Sequence, residues 1–190
     1  MTKAAEIVAF WDQAGPDAWY TQDDAFDQTI RDRFGQDWER ARAGEYDDWS
    51  ASAEGALALI LLFDQFPRNM FRGDATAFAT DDQGIAVAQH MLDEGWDQEV
   101  DEPMRQFVYM PFMHSELPAH QDLCCALMET RMEIGNNALH AHAHRMIIDQ
   151  FGRFPYRNDA LGRETTPAER RFMDEGGYAG ILRQLQRKTA

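Results

Sequence analysis

"ALALILLFDQFPRNMFRGDA" (residues 56–75) decides the architecture. Its opening run, Ala56 to Phe63, is apolar on every side of a helical wheel. A helix with no face for water belongs at the centre of a helical fold. Its continuation has the opposite character: Asp64, Gln65, Phe66, Pro67, Arg68 and Asn69 close the run with a dense polar cluster, and Pro67 marks a bend. Polar groups at the end of the most apolar segment need partners inside the protein, so this corner is the first candidate for a site.

Outward from that stretch the pattern stays helical. Ile7, Val8, Phe10 and Trp11 form a stripe that stops at Gly15-Pro16. Phe26, Ile30, Phe34 and Trp38 recur every four residues from Asp23 onward, and Gly44 closes that helix. The central helix opens near Ser52. Ile85, Ala88, Met91 and Leu92 share a face of a helix from about Thr80 to Glu94. Pro103 stands at a helix start and Pro111 kinks or ends that helix. Leu117 to Met132 is amphipathic through Leu123, Leu127 and Met128, and Asn136 can cap a helix reaching about Phe151. In "TTPAER" (165–170), Thr166 as cap, Pro167 first and Glu169 third make a capping box. No segment sustains a period of two, so the expectation is an all-α fold of seven to nine helices packed pairwise. No low-complexity linker interrupts it, which predicts a single domain over residues 1–190.

Composition narrows the partners. A net charge of −15 repels phosphate backbones and anionic bilayers, so neither nucleic acid nor membrane is an expected partner. The longest apolar run is far too short to span a bilayer. "MTKAAEIVAFWDQ" carries acids within its apolar stretch and no cleavage-like end, unlike a signal peptide. Cys124 and Cys125 are adjacent and have no other cysteine to pair with, which reads as reduced thiols of a cytoplasmic protein. Lys3 and Lys188 are the only lysines; the remaining cations are arginines, the side chain suited to forked, partly buried contacts.

The polar corner has an echo. "DQFPRNMFRGDATAFAT" (64–80) aligns without gaps on "DQFGRFPYRNDALGRET" (149–165), repeating Asp-Gln-Phe, two arginines, Asp-Ala and a threonine. Arg68 and Arg72 thus correspond to Arg153 and Arg157. In one reading each corner is a structural clamp, with arginines bridging acids and helix-end carbonyls. In the other the two corners converge on one cleft, where Asp64, Gln65, Arg68, Asn69, Arg72, His144, Arg153, Arg157 and Asn158 hold a small anionic or zwitterionic molecule or a peptide end. Shared networks pairing Asp64 with Arg157, or Asp149 with Arg68, are the expected sign of such convergence. An enzymatic alternative takes His114 and Glu116, two residues apart beyond a helix end, as an acid–base pair, with Arg68 or Arg157 steadying negative charge. A third alternative is a purely structural or protein-interaction scaffold. "LHAHAHR" (139–145) places His140 and His144 at metal-ligand spacing but lacks a metalloprotease glutamate, so no metal and no cofactor is expected.

With the doubled corner, "FVYMPFMHSE" (107–116) and "HRMIIDQFGRFPYRNDALGRETTPAE" (144–169) in view, the sequence resembles the bacterial domain of unknown function 924 family over nearly its whole length. The positions that carry the likeness are Asp64, Gln65, Phe66, Pro67, Arg68, Asn69, His114, Ser115, Glu116, His144, Phe151, Arg153, Phe154, Pro155, Arg157 and Asn158. The resemblance implies a tetratricopeptide-repeat-like array of antiparallel helical hairpins and no established reaction. It departs in a shorter, more polar opening "WDQAGPDAWYTQ" (11–22) and in the extra histidines of 139–145.

Overall fold

The computed structural model describes residues 1–189, and among these every regular element is helical. We number the helices α1 (Lys3–Trp19), α2 (Asp24–Arg42), α3 (residues 53–70), α4 (Asp81–Asp93), α5 (Gln106–His114), α6 (Pro118–Arg131), α7 (Asn137–Phe151), α8 (Pro167–Asp174) and α9 (Gly177–Thr189). The chain forms two compact units, Met1–Pro111 and the remainder from Phe112.

In the N-terminal unit, α3 is the central rod, with α1, α2 and α4 packed against it. Every residue from Gly55 to Asp64 is buried. The helix starts where Ser52 accepts a hydrogen bond from the Gly55 N–H at 3.2 Å. Glycine is required there, because a Cβ on residue 55 would lie 2.1 Å from the Trp49 carbonyl oxygen. An aromatic core of Trp11, Phe34, Phe66 and Phe107 fills the space around the rod, with ring centroids 5.2–5.6 Å apart for Phe34–Phe66, Trp11–Phe66 and Trp11–Phe107. α1 breaks at Gly15 (φ 73°), as its Gly-Pro pair predicts, then resumes to Trp19. Across the break the Trp19 indole donates to the Trp11 carbonyl at 2.7 Å.

The polar corner is not a helix end. Residues Ala53–Ile60 are α-helical, Leu61–Gln65 widen into a π turn in which the Phe66 N–H reaches the Leu61 carbonyl, and Phe66–Met70 carry the helix on. Pro67 has no N–H for the Phe63 carbonyl four residues back. The Thr80 hydroxyl donates to that carbonyl at 2.7 Å and in turn accepts from the Trp38 indole at 3.3 Å. With this substitute in place, the proline is tolerated inside a buried helix.

In the C-terminal unit α6 and α7 form an antiparallel hairpin, α9 packs on α7, and α8 on α9. The core is Ala143, Ile147, Ile148, Phe154 and Ile181, with Phe151 and Phe172 against it. Pro111 lies within α5 and does not end it. Beyond that helix end, buried Gln121 donates its side-chain amide to the carbonyls of Phe112, Met113 and Ser115 at 3.2, 2.7 and 2.6 Å. Asn136 is the cap residue of α7 but makes no side-chain capping bond. The expected capping box at α8 is formed: the Thr166 hydroxyl accepts from the Glu169 N–H at 3.2 Å, and the Glu169 carboxylate accepts from the Thr166 N–H at 2.8 Å. Replacing Thr166 by alanine will cost about 1 kcal/mol in urea unfolding, and serine will restore most of it. A serine variant no better than alanine would mean that the cap bond contributes nothing.

Candidate functional site

The first corner of the sequence echo belongs to the N-terminal unit and the second to the C-terminal unit. In the first, Arg68 forks onto Asp81 at 2.9 and 3.0 Å and reaches the Asp64 carboxylate at 3.1 Å and the Asp64 carbonyl at 2.7 Å. Asp64 is 1% exposed and also accepts from the Gln65 amide at 2.5 Å. Asp81 is the first residue of α4, so Arg68 ties the end of α3 to the start of the next long helix.

Asn69 and Arg72 belong to a second arrangement. The Asn69 amide donates to Asp27 Oδ1 at 2.7 Å. Arg72 presents Nε to Asp27 Oδ2 and Nη2 to Oδ1, the latter at 2.9 Å. Asp27 is buried in the first turn of α2. These three residues form part of the lining of an open groove of about 610 Å³, together with Asp24, Arg31 and Asp74. Arg31 is itself tethered, Nη1 to Gln28 at 2.7 Å and Nη2 to the Met70 carbonyl. The Asp74 carboxyl lies below its ordinary range because Thr76 hydrogen-bonds it. The groove therefore carries oriented guanidinium groups and carboxylates side by side.

The second corner repeats one element of the first. Arg153, the counterpart of Arg68, forks onto Glu169 at 2.6 and 2.9 Å, again in the first turn of the helix beyond the corner. That contact, with the capping-box hydrogen bonds, holds the Glu169 carboxyl at about 2. The equivalence then fails. Asp149, the counterpart of buried Asp64, is exposed and pairs with Arg145. α7 ends at Gly152 in the left-handed region (φ 67°), whereas α3 runs on through its π turn. Asn158 is buried, its amide 3.3 Å from the Thr165 hydroxyl. Arg157 is also buried, its guanidinium 4.5 Å above the Phe154 ring.

Glu116 is anchored. It accepts the Phe154 N–H at 2.8 Å and a fork from Arg163 at 2.7 and 3.0 Å. Burial pushes its carboxyl up, but Arg163 and the Phe154 N–H outweigh that and keep it below the usual range. His114 instead lies against His144, ring centroids 6.1 Å apart. His144 donates Nδ1–H to the His140 carbonyl at 2.8 Å, the tautomer that hydrogen bond selects, which leaves the lone pair on Nε2. Phe154 and Tyr178 pack on the same ring at 5.5 and 4.9 Å. Burial, then the neighbouring His114, lowers the His144 imidazole to about 3, so it is neutral at physiological pH. His140 pairs with the Tyr178 hydroxyl and His142 with Glu129, so the three histidines of α7 have separate partners. Cys124 and Cys125 are buried free thiols, both raised by burial, Cys125 to about 11. No described helix is long and apolar enough to cross a membrane.

Nothing in the sequence singles out Asp27, Asp81, Arg163 or Tyr178. The acids carry no motif, and Tyr178 lies on α9, whose short apolar pattern comes after two glycines.

Comparison with known proteins gives a family and a solved structure. The family model described as bacterial protein of unknown function, DUF924, matches residues 7–177. The solved structure of the protein of unknown function ATU0120 from Agrobacterium tumefaciens is 47% identical, covers 91% of this chain and 97% of its own, and superposes with a TM-score of 0.87. No curated protein matches the chain.

Proposed function

From the premise that the chain belongs to DUF924, a family of bacterial proteins of unknown function, we propose that it binds a small zwitterion of amino-acid size in the groove of its N-terminal unit. One observation carries this reading. Arg72 is held by Asp27 through Nε and Nη2, which leaves Nη1 without a protein partner among the described residues and directs it from a fixed position. An arginine oriented by a buried carboxylate is pre-organised for an incoming carboxylate. Asp24 and Asp74, on the same lining, suit an ammonium group. The volume, about 610 Å³, falls within the usual range for small-molecule sites.

Isothermal titration against a panel of α-amino acids and the matching amines and carboxylic acids tests it. The zwitterions should bind more tightly than either half-molecule. Arg72→Lys should weaken binding at least about tenfold, because a point charge cannot keep the Asp27 fork and a second contact together. Equal binding by Arg72→Lys, or no heat from any member of the panel, removes the proposal.

The scaffold reading keeps one support: Arg68 and Arg153 are both engaged in forks to acids of this chain. We also read the antiparallel hairpins as a tetratricopeptide-repeat-like arrangement and the protein as cytoplasmic, in keeping with its two buried free thiols.

A further inference from the structure

We propose, resting on the zwitterion reading of the groove in the N-terminal unit, that this groove selects a cationic amino acid, one whose side chain ends in a guanidinium or an ammonium group. The balance of charge on its lining points to this class. Asp24, Asp27 and Asp74 face two arginines, Arg31 and Arg72, so the lining keeps one formal negative charge in surplus. A neutral zwitterion leaves that surplus in place. A ligand with one further positive charge cancels it.

The hydrogen bonds distinguish the acids that are matched from those that are not. Asp27 is taken by the Arg72 fork and the Asn69 amide. Arg31 gives its two Nη groups to the Gln28 side-chain carbonyl and the Met70 carbonyl, both uncharged, so it answers none of the three acids by contact. Asp24 makes no hydrogen bond or ion pair among the described residues. It stands in the first turn of α2 three residues before Asp27, about 4.5 Å back along the axis, and so borders the place that Arg72 reaches. Asp74 is exposed and is bonded by Thr76, a neutral residue. Two carboxylates of the lining therefore have no cationic partner. The α-ammonium of a ligand satisfies one of them, and the other calls for a second cation on the same molecule. Arg72 Nη1, the group offered to the ligand carboxylate, separates this class from a plain diamine. A volume of about 610 Å³ leaves room for a long side chain. The net charge of −15 concentrates cations at the surface of the chain and favours the same choice.

L-Arginine, citrulline and agmatine separate the contributions. Citrulline keeps the shape of arginine with a neutral urea in place of the guanidinium, and agmatine lacks the carboxylate. In isothermal titration of the full chain at low salt, arginine should bind about fivefold more tightly than citrulline, the effect of one exposed charge pair. The ratio should shrink toward one in about 1 M salt, which screens charges beyond about 3 Å. Asp24→Asn and Asp74→Asn should each narrow it, because either leaves a single open carboxylate for the α-ammonium; asparagine at 74 keeps an oxygen for the Thr76 N–H. Equal binding of arginine and citrulline overturns this inference and leaves the zwitterion reading standing. Agmatine binding as tightly as arginine, or no heat from any of the three, removes both. A ratio that neither asparagine variant changes also overturns the inference, since the preference would then arise outside these acids.

Discussion

Arg68→Ala will lower the free energy of unfolding by roughly 3–5 kcal/mol, because it strips a guanidinium from a carboxylate that has almost no access to water. Asp64 is 1% exposed, and Arg68 meets both its carboxylate and its carbonyl. The same side chain also forks onto Asp81, so its loss unfastens α4 from the end of α3 as well. Arg68→Lys should recover part of the loss, since one ammonium can satisfy one acid but not the fork. Urea unfolding of the three proteins measures this. A loss under about 1 kcal/mol for the alanine variant would put the pair in the class of surface ion pairs and end its standing as a clamp.

Acidification from neutrality will destabilise the protein well before carboxylates titrate, and His144 will carry much of the effect. Its folded imidazole lies at about 3, below the ordinary histidine value of 6.5. Between those two values the unfolded chain binds a proton that the folded chain refuses. Stability is therefore fully present above pH 6.5 and declines as the pH falls toward 3, at up to about 1.4 kcal/mol per pH unit for one proton. His140, also lowered by burial, adds to the same window. Glu169 acts later. Its carboxyl is held at about 2 by Arg153, so its contribution is present above the usual glutamate value and is lost only as the pH falls from about 4.5 toward 2. Unfolding free energies measured between pH 7 and 5 should slope for the wild type and be flatter for His144→Phe. Parallel curves would show that His144 is already free to protonate in the folded chain.

Much of the fold can be read from periodicity because each helix obeys one local rule. The all-apolar run is buried, the four-residue spacing of Phe26, Ile30, Phe34 and Trp38 lies on α2, and the Thr166 capping box forms. Sequence and structure part where a distant partner overrides a local rule. Pro67 reads as a bend because nothing nearby tells of Thr80, which supplies the hydroxyl that the helix lacks. Pro111 stays inside α5, and the carbonyls beyond it are met by Gln121. The candidate site is legible to the same degree. Arg68 and Arg153 stand out by their spacing, but the acids they grip, Asp81 and Glu169, lie 13 and 16 residues further along and no motif marks the pairing. Glu116 and His114 look like partners in sequence, yet Glu116 is taken by Arg163, 47 residues away.

The π turn of α3 sets the phase of everything after it. A widened turn holds one more residue than an α turn, so it sets the residues after it back by about 100° relative to the same sequence wound as an uninterrupted α-helix. Wound into regular α-helix without that turn, the unaltered sequence would swing Phe66, Asn69 and Met70 round together. Phe66 would leave the aromatic core, and Asn69 would lose its line to Asp27. The central helix thus works as a vernier: its first half is locked by greasy packing, and one surplus residue aims its second half.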